Sequence, residues 1–156
     1  MGRIAEQIVF EAVIWILRHG DAEPHEGKPD ADRDLTEKGE QQSVNAGRAL
    51  KKLGIELDAC LTSPKVRAHR TAALACSVLG VDVEIDQRLA GGDFDPLELA
   101  AGRGEVMLVG HEPDCSQAVA LATGSRVKMK KGGLAGFDDH ILHLLMRPKE
   151  LRQIAG

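Results

Sequence analysis

Ala12-Val13-Ile14-Trp15-Ile16-Leu17-Arg18-His19-Gly20 decides the fold of this chain. Six apolar residues run without polar alternation and stop at Arg-His-Gly. A strand with one wet face alternates apolar and polar residues. An unbroken apolar strand is buried on both faces, as in a parallel sheet covered by helices. The polar tripeptide then lies just past the strand's carboxyl end, where ligands bind in open α/β sheets.

Outward from this strand, residues 20–34 are polar, carry Pro24, Gly27 and Pro29, and read as a long loop. Leu35-Thr36-Glu37-Lys38-Gly39 opens a helix. Thr36 is placed to cap it, Val44, Gly47, Leu50 and Leu53 follow helical spacing, and Gly54 closes it. Residues 57–61 read as a second strand. Ser63-Pro64 reads as a cap followed by a proline in the first helical position, opening a helix that runs to Leu79 and stops at Gly80. A third strand over 81–85, a short helix over 96–101 and a fourth strand over 105–109 follow. That strand ends at Gly110-His111-Glu112-Pro113, and a helix over 113–123 comes next. Residues 126–130, 134–137 and 140–146 read as late strands joined by glycine-rich turns. The alternation predicts an α/β three-layer sandwich: a mostly parallel central sheet with an antiparallel edge strand and helices on both faces. One domain is expected over 8–156, after a leader over 1–7.

A 156-residue chain with 43% hydrophobic and 28% charged residues has the composition of an ordinary globular domain. Its net charge of -4 provides no basic excess for a nucleic-acid partner. The apolar stretch from Ile8 to Leu17 is broken by Glu11 and falls well short of the ~20 residues of a membrane helix. Glu6 and Glu11 also spoil the charge pattern of a signal peptide. Cys60, Cys76 and Cys115 are widely spaced and read as reduced thiols. The expected location is the cytoplasm, with no membrane partner.

Three polar clusters fall at carboxyl ends of the expected parallel strands: Arg18-His19-Gly20, Ser63 to Arg67, and Gly110-His111. Together they bring two histidines and two arginines to one sheet edge. Arginine is a permanently charged planar fork that grips phosphate oxygens. A neutral imidazole is a competent nucleophile near pH 7, and surrounding cations keep it neutral while stabilising a transferring phosphoryl group. This set fits histidine attack on phosphorus through a covalent phosphohistidine. No metal site is expected: H-E-x-x-H is absent, and arginines beside a histidine repel cations.

Arg18-His19-Gly20 after a buried strand resembles the signature of the histidine phosphatase superfamily, which includes the phosphoglycerate mutases. Leu35-Thr36-x-x-Gly39 with Gln41 or Gln42, Ser63-Pro64-Lys65-Val66-Arg67-Ala68-x-x-Thr71-Ala72, and Gly110-His111-Glu112-Pro113 are similar to its later landmarks, in the same order. The resemblance implies that His19 is the nucleophile, that Arg18 and Arg67 clamp the phosphoryl oxygens, and that His111 hydrogen-bonds the same group. It implies no cofactor and no metal. Gly20, Asp21, Ser63, Gly110, Glu112 and Asp93 are the further substrate-binding candidates. Asp21, Asp93 and Glu112 are the candidate proton donors, in no order.

Within the superfamily the chain looks closest to the short SixA-like phosphohistidine phosphatases. It has no room for the large cap of the mutases, it reads Arg-His-Gly-Asp-Ala, and Arg88-Leu89-Ala90-Gly91-Gly92-Asp93 resembles a segment of that subgroup. Arg70 departs from a common glutamine, and an N-terminal extension precedes the first strand. The implied partner is a phosphorylated protein. The alternatives are a phosphatase of small phosphomonoesters and, of another class, a non-catalytic phosphate-binding module. His25, His69, His140 and His143 are expected to be solvated or structural. The acidic residues between Asp21 and Asp34 are expected to form a solvated lip, and Lys128, Lys130 and Lys131 to blunt an edge strand.

Overall fold

The computed structural model describes residues 12–156, so the leader over 1–7 lies outside the described residues. The strands are β1 (Ile14–Arg18), β2 (Ala59–Thr62), β3 (Val83–Ile85), β4 (Val106–Gly110), β5 (Leu134–Asp138) and β6 (Ile141–Met146). They form one sheet in the order β3-β2-β4-β1-β5-β6. The pairs β1–β4, β4–β2 and β2–β3 are parallel, whereas β5 runs antiparallel to both β1 and β6. The antiparallel edge is therefore a hairpin appended to a parallel sheet.

Five α-helices cover the sheet: α1 (Glu37–Lys52), α2 (Val66–Leu79), α3 (Pro96–Ala100), α4 (Asp114–Thr123) and α5 (Pro148–Ala155). Ile14 and Ile16 face a core that includes Leu99 of α3 and Val119 of α4. Trp15 and Leu17 face the opposite core, with Leu50 of α1, Ala72 of α2 and Leu151 of α5. The opening run fails to alternate because both of its faces are covered. Ile16 and Leu17 are wholly buried, each contributing roughly 1.5–3 kcal/mol of transfer free energy.

Helix boundaries follow local chemistry. The Thr36 hydroxyl accepts from the Gly39 amide at 3.1 Å and caps α1. Gly80, at φ 71°, supplies the left-handed residue that ends α2. The start of α2 differs from expectation. Ser63 is not its cap and Pro64 is not its first residue; the helix begins at Val66 after Lys65. Ser63 instead accepts from the Lys65 amide at 3.1 Å, in a turn that precedes the helix.

Residues 126–130 do not form the expected strand. Met129 is instead held by side chains: its amide donates to Ser116 Oγ at 3.1 Å, and its carbonyl accepts from Arg18 at 2.9 Å. Lys128, Lys130 and Lys131 consequently guard no strand edge. Helix α5 was not anticipated, although Pro148 in its first position and Glu150, whose carboxylate accepts from the Arg147 amide at 2.9 Å, are recognisable start signals. Among the described residues no helix is long and apolar enough to cross a membrane.

Candidate active site

Parallel register brings the clusters together. Arg18 pairs with Gly110 and Thr62 with Val109. The ladder continues one step past the strands: the His19 amide donates to Gly110 O at 3.1 Å, and the Ser63 amide to Val109 O at 3.0 Å. His19 and His111 thereby become neighbours, with ring centroids 5.2 Å apart. Both are buried, as are Ser63 and Arg67.

His19 Nδ1 lies 2.7 Å from Gly20 O. A carbonyl can only accept, so Nδ1 carries the proton and Nε2 the lone pair. Burial lowers the pKa of His19 from 6.5 to about 4; Arg67, Arg18 and Lys131 act in the same direction, against the bond to Gly20. The imidazole is thus neutral and nucleophilic at pH 7. Burial also lowers His111 to about 3, helped by His19, Arg67 and Lys65. His111 Nε2 lies 2.8 Å from Ser63 Oγ, which already accepts from Lys65. With no other acceptor for the Ser63 hydroxyl among the described residues, Ser63 donates to Nε2. His111 is left with Nδ1–H.

That Nδ1, Arg18 Nε and Arg67 Nε are buried donors without a protein partner. An unsatisfied buried donor costs about 1–3 kcal/mol, and an oxyanion is the ligand that would satisfy all three. The remaining guanidinium nitrogens are partly occupied. Arg18 donates to Met129 O, and Arg67 donates to the Asp30 carbonyl at 2.8 Å and to its carboxylate at 3.2 Å.

The acidic loop is therefore not a solvated lip. Asp30 pairs with Arg33 at 3.0 Å, Arg67 at 3.2 Å and Lys65 at 3.3 Å, and Asp34 pairs with Arg70 at 2.6 Å. The Arg33 hydrogen bond, with Arg67 and Lys65 behind it, holds the Asp30 carboxyl far below the usual carboxylate range against the effect of burial. Arg33 is a local partner, but Lys65, Arg67 and Arg70 come from the start of α2, more than thirty residues away, and no local pattern announces them.

Thr71 accepts from the Gly20 amide at 3.1 Å and donates to Arg67 O at 2.7 Å, joining the loop to the helix that carries Arg67. The loop also lies hard against the start of α1. A Cβ on Gly39 would sit 2.0 Å from Asp21 O, and one on Gly20 would sit 2.6 Å from Gly39 O. Only glycine permits this approach. Of the two candidate glutamines, Gln42 accepts from the Asp21 amide at 2.8 Å, whereas Gln41 pairs with Asn45.

The other candidates are placed less centrally. Asp21 accepts from Thr36 at 2.8 Å and faces Lys131 at 3.6 Å, sharing a cavity wall with Arg18. The Glu112 carboxylate accepts from the amide and hydroxyl of Ser116, at the start of α4. Asp93 is exposed in a loop beside a cavity lined by Phe94 and Leu99. Gly110 serves as ladder partner to His19. His140 contacts Ala122 O, His143 pairs with Asp138, His25 is exposed and His69 is half-buried on α2. Thr71, Lys131 and Asp30 emerge as neighbours of the site that were not nominated; only Thr71 stood in a quoted motif. Among the described residues, no group of three or more His, Cys, Asp or Glu is placed to hold a metal ion.

Residues 14–113 match the family model of the histidine phosphatase superfamily, branch 1. An uncharacterized protein of Picosynechococcus is 35% identical over 161 residues, covering 88% of this chain and 98% of that protein. Among solved structures, the protein histidine phosphatase SixA complexed with tungstate is similar with a TM-score of 0.77 at 24% identity, over 89% of this chain and 99% of that one. A mycobacterial glucosyl-3-phosphoglycerate phosphatase with inorganic phosphate is similar with a TM-score of 0.69 at 18% identity, over 88% and 99%. At these identities the two structures establish the shared fold.

Proposed function

The chain belongs to branch 1 of the histidine phosphatase superfamily, and from that premise we propose that it removes phosphate from phosphohistidine on a protein partner. His19 Nε2 attacks phosphorus, and the P–N bond to the partner's imidazole breaks. The partner's phosphohistidine, carrying a proton on its free ring nitrogen, then leaves as neutral imidazole. Water then attacks phospho-His19, releasing inorganic phosphate and restoring the neutral ring. Arg18, Arg67 and His111 Nδ1–H hold the phosphoryl oxygens throughout.

The observation that carries the reading is the pair of neutral buried imidazoles among three unpartnered donors. The choice of phosphohistidine rests on the leaving group. An alkoxide needs a well-placed general acid, whereas a protonated imidazole leaves readily. Of the three nominated carboxylates, Glu112 is engaged at α4, Asp21 with Thr36 and Lys131, and Asp93 is exposed. The fold shared with SixA supports the same substrate class. A protein substrate and three buried free cysteines fit the cytoplasm.

The test compares turnover of a phosphohistidine protein with that of a panel of sugar and aryl phosphates. The phosphohistidine protein should be preferred, and quenched reactions should carry acid-labile phosphate on His19. His19→Ala should lose turnover on the order of a thousandfold or more. Preference for sugar phosphates would instead assign the site to small phosphomonoesters. Unchanged turnover in His19→Ala would remove the nucleophile assignment.

A further inference from the structure

A cavity of about 520 Å³ opens beside Arg18, and seven of its eleven wall residues are Lys or Arg. Among the described residues its only acid is Asp21. A second cavity of about 360 Å³ adjoins it, sharing Lys38, Gln42, Pro148 and Lys149 and adding Arg152 to the lining. Among the described residues, the two cavities together are lined by eight Lys and Arg but one Asp or Glu. An acidic protein has thus gathered positive charge along one groove that begins beside Arg18.

This charge is not neutralised from within. Lys131 faces Asp21, and Arg147 pairs with Glu150. Lys38, Lys128, Lys130, Lys149 and Arg152 have no ion-pair partner among the described residues, and all five are exposed. Asp30, Asp34 and Glu23 of the neighbouring loop are already paired with Lys65, Arg67, Arg70 and Lys28. Like charges held this close raise each other's energy, and a ligand of opposite sign relieves the repulsion.

We propose that this groove binds an acidic segment of the phosphoprotein partner, flanking the phosphorylated residue presented to His19. The proposal rests on the protein-phosphatase reading above. A phosphoryl group held by Arg18 leaves the rest of its carrier to continue along the wall that Arg18 shares with the lysines. A small phosphorylated metabolite would occupy the first lobe alone. The second lobe, with Lys149 and Arg152 on α5, calls for an extended chain.

The experiment uses two peptides of equal length, one with glutamates and one with glutamines flanking the central histidine, each with and without phosphate. Binding of the unphosphorylated forms is read by fluorescence anisotropy, and hydrolysis of the phosphorylated forms by phosphate release. The acidic peptide should bind at least about tenfold tighter at low salt, and the advantage should shrink as salt shortens the screening length. In the variant Lys128→Gln/Lys130→Gln/Lys149→Gln, whose folding is checked by its urea midpoint, the acidic-to-neutral ratio should fall towards one. Equal binding of the two peptides by the parent overturns the proposal, whatever the hydrolysis result. A ratio unmoved in the variant overturns it too, as does an oligonucleotide of equal charge binding more tightly than the acidic peptide. Hydrolysis of neither phosphopeptide, beside turnover of an aryl phosphate, overturns the phosphohistidine reading and is separately visible.

Discussion

Acid should destabilise this protein before its carboxylates begin to titrate, because His19 and His111 are buried uncharged. Each takes up a proton near pH 6.5 when unfolded, but only near pH 4 and pH 3 when folded. Between those limits the unfolded state binds more protons, so stability falls as pH falls. The loss begins as pH drops through the unfolded value of 6.5 and is complete only below the folded values. Integrating from pH 7 to pH 5 gives about 2 kcal/mol for each histidine and about 4 kcal/mol for the pair. That is a large share of a typical stability of about 5–15 kcal/mol. Urea unfolding at half-unit steps from pH 7.5 to 5 measures it, in a window where carboxylates are largely ionised in both states. His19→Asn removes one of the two groups, so the same pH drop should cost that variant about 2 kcal/mol less. An equal pH dependence in parent and variant would refute the reasoning, because His19 would then be no less protonated folded than unfolded.

Gly39→Ala places a methyl 2.0 Å from Asp21 O; it should destabilise by about 1–3 kcal/mol in urea and depress kcat by displacing the loop that carries His19, and wild-type values of both would contradict the close approach. Asp30→Asn removes the carboxylate that shares Arg67 and Lys65, so inorganic phosphate should inhibit at several-fold lower concentration; an unchanged inhibition constant would show that Asp30 and the ligand do not compete. Leu151→Ala empties a wholly buried site where α5 meets the core; a loss of about 2–5 kcal/mol is expected, and a loss below 1 kcal/mol would mean that α5 is loosely docked.

The features legible in the sequence are those governed by neighbours along the chain. An apolar run without alternation marks a strand covered on both faces, and the fold has such a strand at Ile14–Arg18. Thr36 caps its helix and Gly80 ends the next through backbone geometry a few residues wide. The ordered motifs around His19, Arg67 and His111 were visible for the same reason, since each is a short run at a strand end. Helix α5 is equally local in its signals, Pro148 in its first position and Glu150 three residues after Arg147.

Tertiary structure decided what depends on register and approach. Parallel pairing of β1 with β4 sets His19 beside His111, 92 positions apart in the chain. Packing of α2 over the loop gives Arg67 to Asp30 and Gly20 to Thr71, bonds that no local pattern encodes. The same folding turns 126–130 from an expected strand into a segment held by Ser116 and Arg18, and turns its lysines into one wall of a basic groove. Hydrogen bonding and periodicity act over a few residues and can be read directly. Charge and close contact act through space, and their partners exist only once the sheet has brought distant strand ends together.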